Sequence, residues 1–260
     1  MDKYMIVSHE FHVSDPRSSL ESFYKKLFDH LSFPAEPDRW SYSPPIRSKL
    51  DSQEPRSQIL NIYSDCDALC PPSVARTSHP SYEINFEFDL TVGAQDSAPP
   101  FLGRTAVDFE LERQELDFLR SFFRELIVDV LKPTFASLSS SSDYWSKHWF
   151  SVDHERGTTE MSVGQNVTNS LPGVYWLTYL SDHAIEQFDL RLEPKDFSEE
   201  VGISRVNNRG FIITAYQDGS LSGSEDALKK ERNIRDRLGK ESFHRPEEIS
   251  EEEILSQTSW

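Results

Sequence analysis

Between Tyr82 and Leu90 every second residue is apolar: Tyr82, Ile84, Phe86, Phe88 and Leu90 alternate with Glu83, Asn85, Glu87 and Asp89. Side chains on a strand point alternately to opposite faces, so this segment predicts a strand with one core face and one acidic face. Such a strand belongs in an antiparallel sheet covered on one side. The pattern returns after the turn-rich stretch Gly93 to Pro100, where Thr105, Val107, Phe109 and Leu111 are set against Asp108, Glu110 and Glu112. The two segments read as a hairpin or as adjacent strands.

Helical spacing appears on either side of this pair. Asp15-Pro16, with Ser18 and Glu21 three residues on, marks a helix start. Leu20, Phe23, Tyr24, Leu27 and Leu31 then fall on one face until Pro34 and Pro37 end the run. Phe33 to Pro55, rich in Pro and Ser, reads as an irregular connection that carries Trp40 and Tyr42. A second helix is predicted over Gln114 to Leu131, with Leu116, Leu119, Phe123, Leu126, Ile127 and Val130 as its apolar positions and Pro133 past its end. It is expected to cover the apolar face of the sheet.

Further strands are predicted at Tyr4 to Val13, near Gln58 to Tyr63, at Gly173 to Leu180, and at Val201 to Val206 and Gly210 to Tyr216. The last two are joined by Asn207-Asn208-Arg209, which tolerates a tight turn. A short helix follows Ser181 or Asp182 as cap, and a longer one runs from Glu225 to Leu238 with a Ser222/Glu225 capping box and Gly239 at its end. The serine run Ser137 to Ser142 is the candidate flexible loop or boundary between lobes. Beyond it lies an aromatic patch of Tyr144, Trp145, Trp149 and Phe150. These elements predict an α+β fold, antiparallel sheet with amphipathic helices on one face. It is read as one domain over residues 1–260 with an acidic tail at 246–260; two similar α/β halves are also compatible.

Charge changes the picture most. The chain carries 44 Asp plus Glu against 27 Lys plus Arg, a formal net charge of −17. A field of that sign attracts basic partners and repels nucleic acid and anionic membrane surfaces, so neither is expected as a direct partner. With 17 Phe, 9 Tyr and 5 Trp the acids must sit on a folded body rather than a disordered chain. No apolar run approaches the ~18 residues that span a bilayer. Met1 to Glu10 lacks the basic and apolar blocks of a secretory signal, so a cytoplasmic protein is expected.

Candidate chemistry is sparse. Cys66 and Cys70 have no second pair or matching His pair to complete a zinc site, and read as free thiols in a turn. The Asn166-Val167-Thr168 sequon has no meaning without secretion. Glu193-Pro-Lys195 resembles part of a metal-nuclease acid triad, but its proline would break the strand such a site needs. His9 and His12 are three apart on a strand and do not face one way; His148 beside Trp145 and Trp149 reads as packing. There is no Gly-rich phosphate loop, His-Glu-x-x-His or Gly-x-Ser-x-Gly. No metal, cofactor or catalytic residue is therefore assigned. The acidic rows could serve as paired carboxylates, but acids on the open face of a strand are more often solvated or partner-facing than catalytic.

Leu171-Pro-Gly-Val-Tyr-Trp-Leu-Thr-Tyr-Leu180, followed by Gly210-Phe-Ile-Ile-Thr-Ala-Tyr-Gln-Asp218 and by Leu228 to Phe243, resembles the immunity protein 52 family. The helix from Gln114 into Pro133 and Phe135 extends the likeness to about residues 80–245. Where the family often has Pro and Trp after the last-helix Asp, this chain has Gly219 and Ser220. Tyr175 and Trp176 in the first block read equally as core. The resemblance implies a cytoplasmic, non-enzymatic antidote to a toxin of bacterial competition, some relatives being partners of nuclease effectors of secretion systems.

The expected partner surface combines Glu83, Glu87, Asp89, Asp108, Glu110 and Glu112 with the aromatic anchors Trp145 and Trp149. Two other classes compete. An enzyme of α+β fold would show a deep pocket with convergent polar groups; an acidic adaptor would have several weak partners in place of one tight one.

Overall fold

The computed structural model describes residues 2–13, 15–29, 36–43, 45–51, 53–65, 71–90, 101–154, 157–164, 167, 169–192, 197, 201–245 and 250. The chain forms two compact units, Met1–Leu138 and Ser139–Trp260. The fold is α+β, as the alternating and helical patterns predict.

In the first unit β1 (Asp2–Val13) pairs antiparallel with β6 (Phe101–Leu111), and β6 with β5 (Ser81–Leu90). β4 (Ser73–Arg76), β2 (Arg39–Ser41) and β3 (Ser48–Lys49) extend the sheet beyond β5. The register aligns Tyr4, Phe109 and Tyr82 in one row and Ile6, Val107 and Ile84 in the next, so the alternating residues form a continuous apolar face. A bulge at Glu10, whose φ is 55°, shifts the register between His9 and Phe11. Phe11 then stands opposite Gly103, where a Cβ would lie 2.2 Å from its ring.

Helix α1 (Pro16–Asp29) lays Phe23 on Phe86 with ring centroids 5.1 Å apart. Its cap is Asp15, which accepts from the Arg17 amide and the Ser18 hydroxyl, as the Asp15-Pro16 marker predicts; Ser18, the other marker, lies inside the helix. α3 (Leu116–Phe122) continues as a π-helical stretch, Phe123–Leu131, ending on left-handed Lys132. Phe122 meets Phe109 edge-on at 5.2 Å, so this helix covers the sheet as expected.

Gln58 to Tyr63 is not a strand. α2 (Pro55–Asp65) occupies it, with Pro55 at the first helical position and Ile59 and Tyr63, four apart, both fully buried. Tyr63 stacks on Tyr24 at 4.6 Å, donates its hydroxyl to the Pro72 carbonyl at 2.7 Å and shares a hydrogen bond with the Tyr24 hydroxyl at 2.8 Å. Trp40 likewise belongs to the short strand β2, not to an irregular connection.

The serine run is not a flexible loop. It forms the end of β7 (Phe135–Ser140), beside β1, and the start of α4 (Ser141–His148), with Ser140 as the helix cap. The boundary between units falls within it, between Leu138 and Ser139.

In the second unit, α4 leads into a hairpin of β8 (Trp149–His154) and β9 (Gly157–Ser162), which the sequence reading missed. β10 (Leu177–Ser181), β12 (Gly210–Thr214) and β11 (Gly202–Val206) pair antiparallel, with Asn207 and Asn208 left-handed at the turn. β10 starts at Leu177 and not Gly173, and α5 (Asp182–Gln187) follows with Ser181 as cap. α6 (Glu225–Gly239) is capped by Ser224 rather than Ser222. Cys66, Cys70, Gly93 to Pro100, Asn166, Glu193-Pro-Lys195 and all of the proposed tail but Ser250 lie outside the described residues.

Candidate functional site

The acidic rows of the first unit are not uniformly solvated. Glu87, Asp89 and Glu112 are exposed, whereas Glu83, Asp108 and Glu110 are half-buried. Glu83 stands directly opposite Asp108 across β5 and β6. Burial, with the Glu83 charge beside it, pushes the Asp108 carboxyl up to about 6 against a smaller opposing pull from Lys3. Asn85 donates to Glu83 and Ser81 to Glu110, so these two acids are already engaged. Glu112 is exposed but accepts from the Gln114 amide at 2.8 Å, which leaves Glu87 and Asp89 as the members of the two rows without a partner among the described residues.

Trp145 and Trp149 belong to the second unit. They are 40% and 46% exposed and meet edge to face at 5.8 Å. The local fold explains the pairing, because Trp145 is in the last turn of α4 and Trp149 opens β8. From Trp149 the hairpin register places Ser151 opposite Glu160 and Asp153 opposite Thr158, and all five residues are exposed. The outer face of the hairpin thus joins an indole pair to two carboxylates, Asp153 and Glu160, with no basic residue among its described positions. The remaining aromatics of the patch turn inward: Tyr144 is buried and Phe150 half-buried.

Beneath α4 lies a charged network that the sequence did not announce. Lys147 Nζ is 2.9 Å from Asp143 and 2.6 Å from Glu231, and sits 4.4 Å from the Tyr175 ring centroid. Side-chain exposure is 13% for Lys147, 0% for Asp143 and 3% for Glu231, so one ammonium serves two carboxylates out of water. Tyr216 donates its hydroxyl to Glu231 at 2.9 Å and Ser222 donates to Asp143 at 3.3 Å. Burial and the neighbouring Asp143 charge raise Glu231 to about 7, although Lys147 and Tyr216 pull it down. The Tyr216 and Tyr175 hydroxyls are raised by burial and nearby carboxylates. The one available signal was Asp143 and Lys147 at helical i, i+4 spacing.

His148 is packing, as the sequence suggested. Its ring is buried between the Val163 carbonyl, 2.7 Å from Nδ1, and the Tyr175 hydroxyl at Nε2, and burial lowers it to about 4. Tyr175 and Trp176 are fully buried core residues. At Gly219, next to Asp218, a Cβ would lie 2.4 Å from the Trp176 indole, so only glycine fits against that ring.

One cleft of about 330 Å³ opens in the second unit between α4, Pro172 to Val174 and α6. Phe150, Val174 and Leu228 supply apolar wall, and Lys147, Glu231, Arg232, Arg235 and His244 supply its polar groups. The Leu171–Phe243 bridge, with the His244 amide on the Leu171 carbonyl at 2.8 Å, holds His244 at this rim. Among the described residues no group of three or more His, Cys, Asp or Glu is placed to hold a metal. Among them, too, no helix is long and apolar enough to cross a membrane.

No protein-family model and no curated protein matches the chain. Among solved structures it is similar to the Pseudomonas aeruginosa T6SS protein PA0821, at 14% identity and a TM-score of 0.51. The match covers 93% of this chain and 73% of that one. At that identity the likeness is one of fold.

Proposed function

We propose that this chain is a non-catalytic immunity protein that binds and neutralises a cognate bacterial toxin, a basic nuclease effector of a secretion system, in the cytoplasm. The observation that carries the reading is the outer face of the β8–β9 hairpin, where the exposed Trp145–Trp149 pair adjoins Asp153 and Glu160 on a body of net charge −17. Exposed indoles at this density are costly in water and are the residue type that dominates interface energetics. A cationic side chain of the toxin can rest on an indole face while pairing with a neighbouring carboxylate. The exposed acids Glu87, Asp89 and Glu112 of the first unit add to the net negative field that speeds encounter with a basic partner. A nuclease must carry a phosphate-binding basic groove, and an acidic inhibitor matches it in charge. The residue-level resemblance to the immunity protein 52 family and the fold likeness to a protein named for the type VI secretion system both favour this reading.

The test is a binding titration against the effector encoded beside the gene. Trp145→Ala/Trp149→Ala is expected to weaken the complex by about tenfold or more while the protein stays folded. Asp153→Lys/Glu160→Lys should mainly slow association and flatten its salt dependence. A complex unaffected by the tryptophan pair removes this surface from the proposal; no complex at all, or unaided turnover of a substrate, removes the function.

A further inference from the structure

The cleft of the second unit runs against the charge of the rest of the molecule. On a chain with 44 acids its titratable lining is Lys147, Arg232, Arg235 and His244 against Glu231 alone. That one acid is committed, since its two oxygens are held by Lys147 at 2.6 Å and Tyr216 at 2.9 Å. Arg235 reaches Asp236 at 3.3 Å, and the His244 ring reaches the Lys147 carbonyl at 3.3 Å. Arg232 makes no hydrogen bond or ion pair with any described residue and lines the opening three positions from Arg235 on the same face of α6. The apolar lining is Phe150 and Val174, with Leu228 one turn before Arg232 on the same face of α6.

The geometry points to a binding site for an organic carboxylate with an apolar body, seated with its carboxylate on Arg232 and its hydrocarbon against Phe150, Val174 and Leu228. A guanidinium offers two parallel N–H donors that match a carboxylate. The volume is at the lower end for small-molecule clefts, which sets the size at a single aromatic or short aliphatic acid, or one terminal residue of a peptide. Inorganic anions would find the charge but leave the apolar wall wet. The site is separate from the hairpin face and does not depend on the toxin reading.

The probes are 4-phenylbutyrate, its neutral amide, and a short peptide ending in Phe with a free or amidated terminus. Each is titrated into the full chain and followed by amide NMR shifts at Gly173, Val174 and Leu228. For a ligand of this size, binding at a dissociation constant of about 1 mM is expected. Arg232→Gln, at an exposed position, should weaken it about tenfold or more. Saturable shifts with 4-phenylbutyrate and not its amide establish a free acid as occupant. Shifts only with the free-terminus peptide establish a chain end. Equal binding of the amides, equal binding by Arg232→Gln, or no shift with any probe overturns the proposal. Toxin binding by Arg232→Gln is expected to be unchanged, so the two readings fail separately.

Discussion

Replacing Lys147 with Met tests the buried network most directly. Methionine keeps the length of the side chain, so little packing is lost, but the single ammonium between Asp143 and Glu231 disappears. The two carboxylates are 0% and 3% exposed, and removing one partner of a buried ion pair costs about 3–5 kcal/mol. The loss has a definite pH dependence. Glu231 is already held near 7 in the folded chain, above its ordinary 4.5, so its folded form gains protons that the unfolded form does not. In the wild type this contribution to stability is fully present below pH 4.5 and is lost as pH rises through 7, at about 1.4 kcal/mol per pH unit. Without Lys147 both acids escape by taking up protons, which is easier at pH 5.5 than at pH 8. Urea denaturation should therefore show a loss of about 3–5 kcal/mol at pH 8 that shrinks by about 1–3 kcal/mol at pH 5.5. Adding Asp143→Asn and Glu231→Gln should recover part of it. A loss below about 1 kcal/mol at pH 8, or one equal at the two pH values, would refute the reasoning.

Two further outcomes follow from the same unit. His148 should titrate near pH 4 by NMR of its ring protons; because its folded value is depressed from 6.5, its contribution is present above that value and lost as pH falls through 4. A midpoint near 6.5 would mean that the ring is not packed as described. Gly219→Ala should destabilise by about 1–3 kcal/mol in a thermal or urea melt, since the new methyl would meet the Trp176 indole, and a neutral result would show that the indole can yield.

β5 and β6 were legible because one face is less buried than the other, so polar residues recur at every second position; β1, buried on both faces from Tyr4 to Ser8, shows no such alternation there. α2 was misread because Ile59, Ile62 and Tyr63 are too few to distinguish a helix from a strand in a short apolar run. The serine run misled for a different reason. Ser137 and Ser139 are buried in β7, where small side chains suit tight packing, although serine composition ordinarily signals a loop. Of the expected partner residues, the structure keeps Trp145 and Trp149 together and exposed but assigns all six acids to the other unit, where three are half-buried. The carboxylates that do adjoin the indoles, Asp153 and Glu160, lie on a hairpin whose pattern is too polar to stand out. The Lys147 network was out of reach because Glu231 is 84 residues away from Lys147 in the chain.

β7 also bears on how this gene can be taken apart. A cut between Leu138 and Ser139 would sever a strand in mid-course and strip the amino-terminal fragment of the last two residues of its own edge. Dissection into stand-alone halves is therefore a poor route to testing the proposed partner surface; scanning single residues across the intact polypeptide is the sounder one.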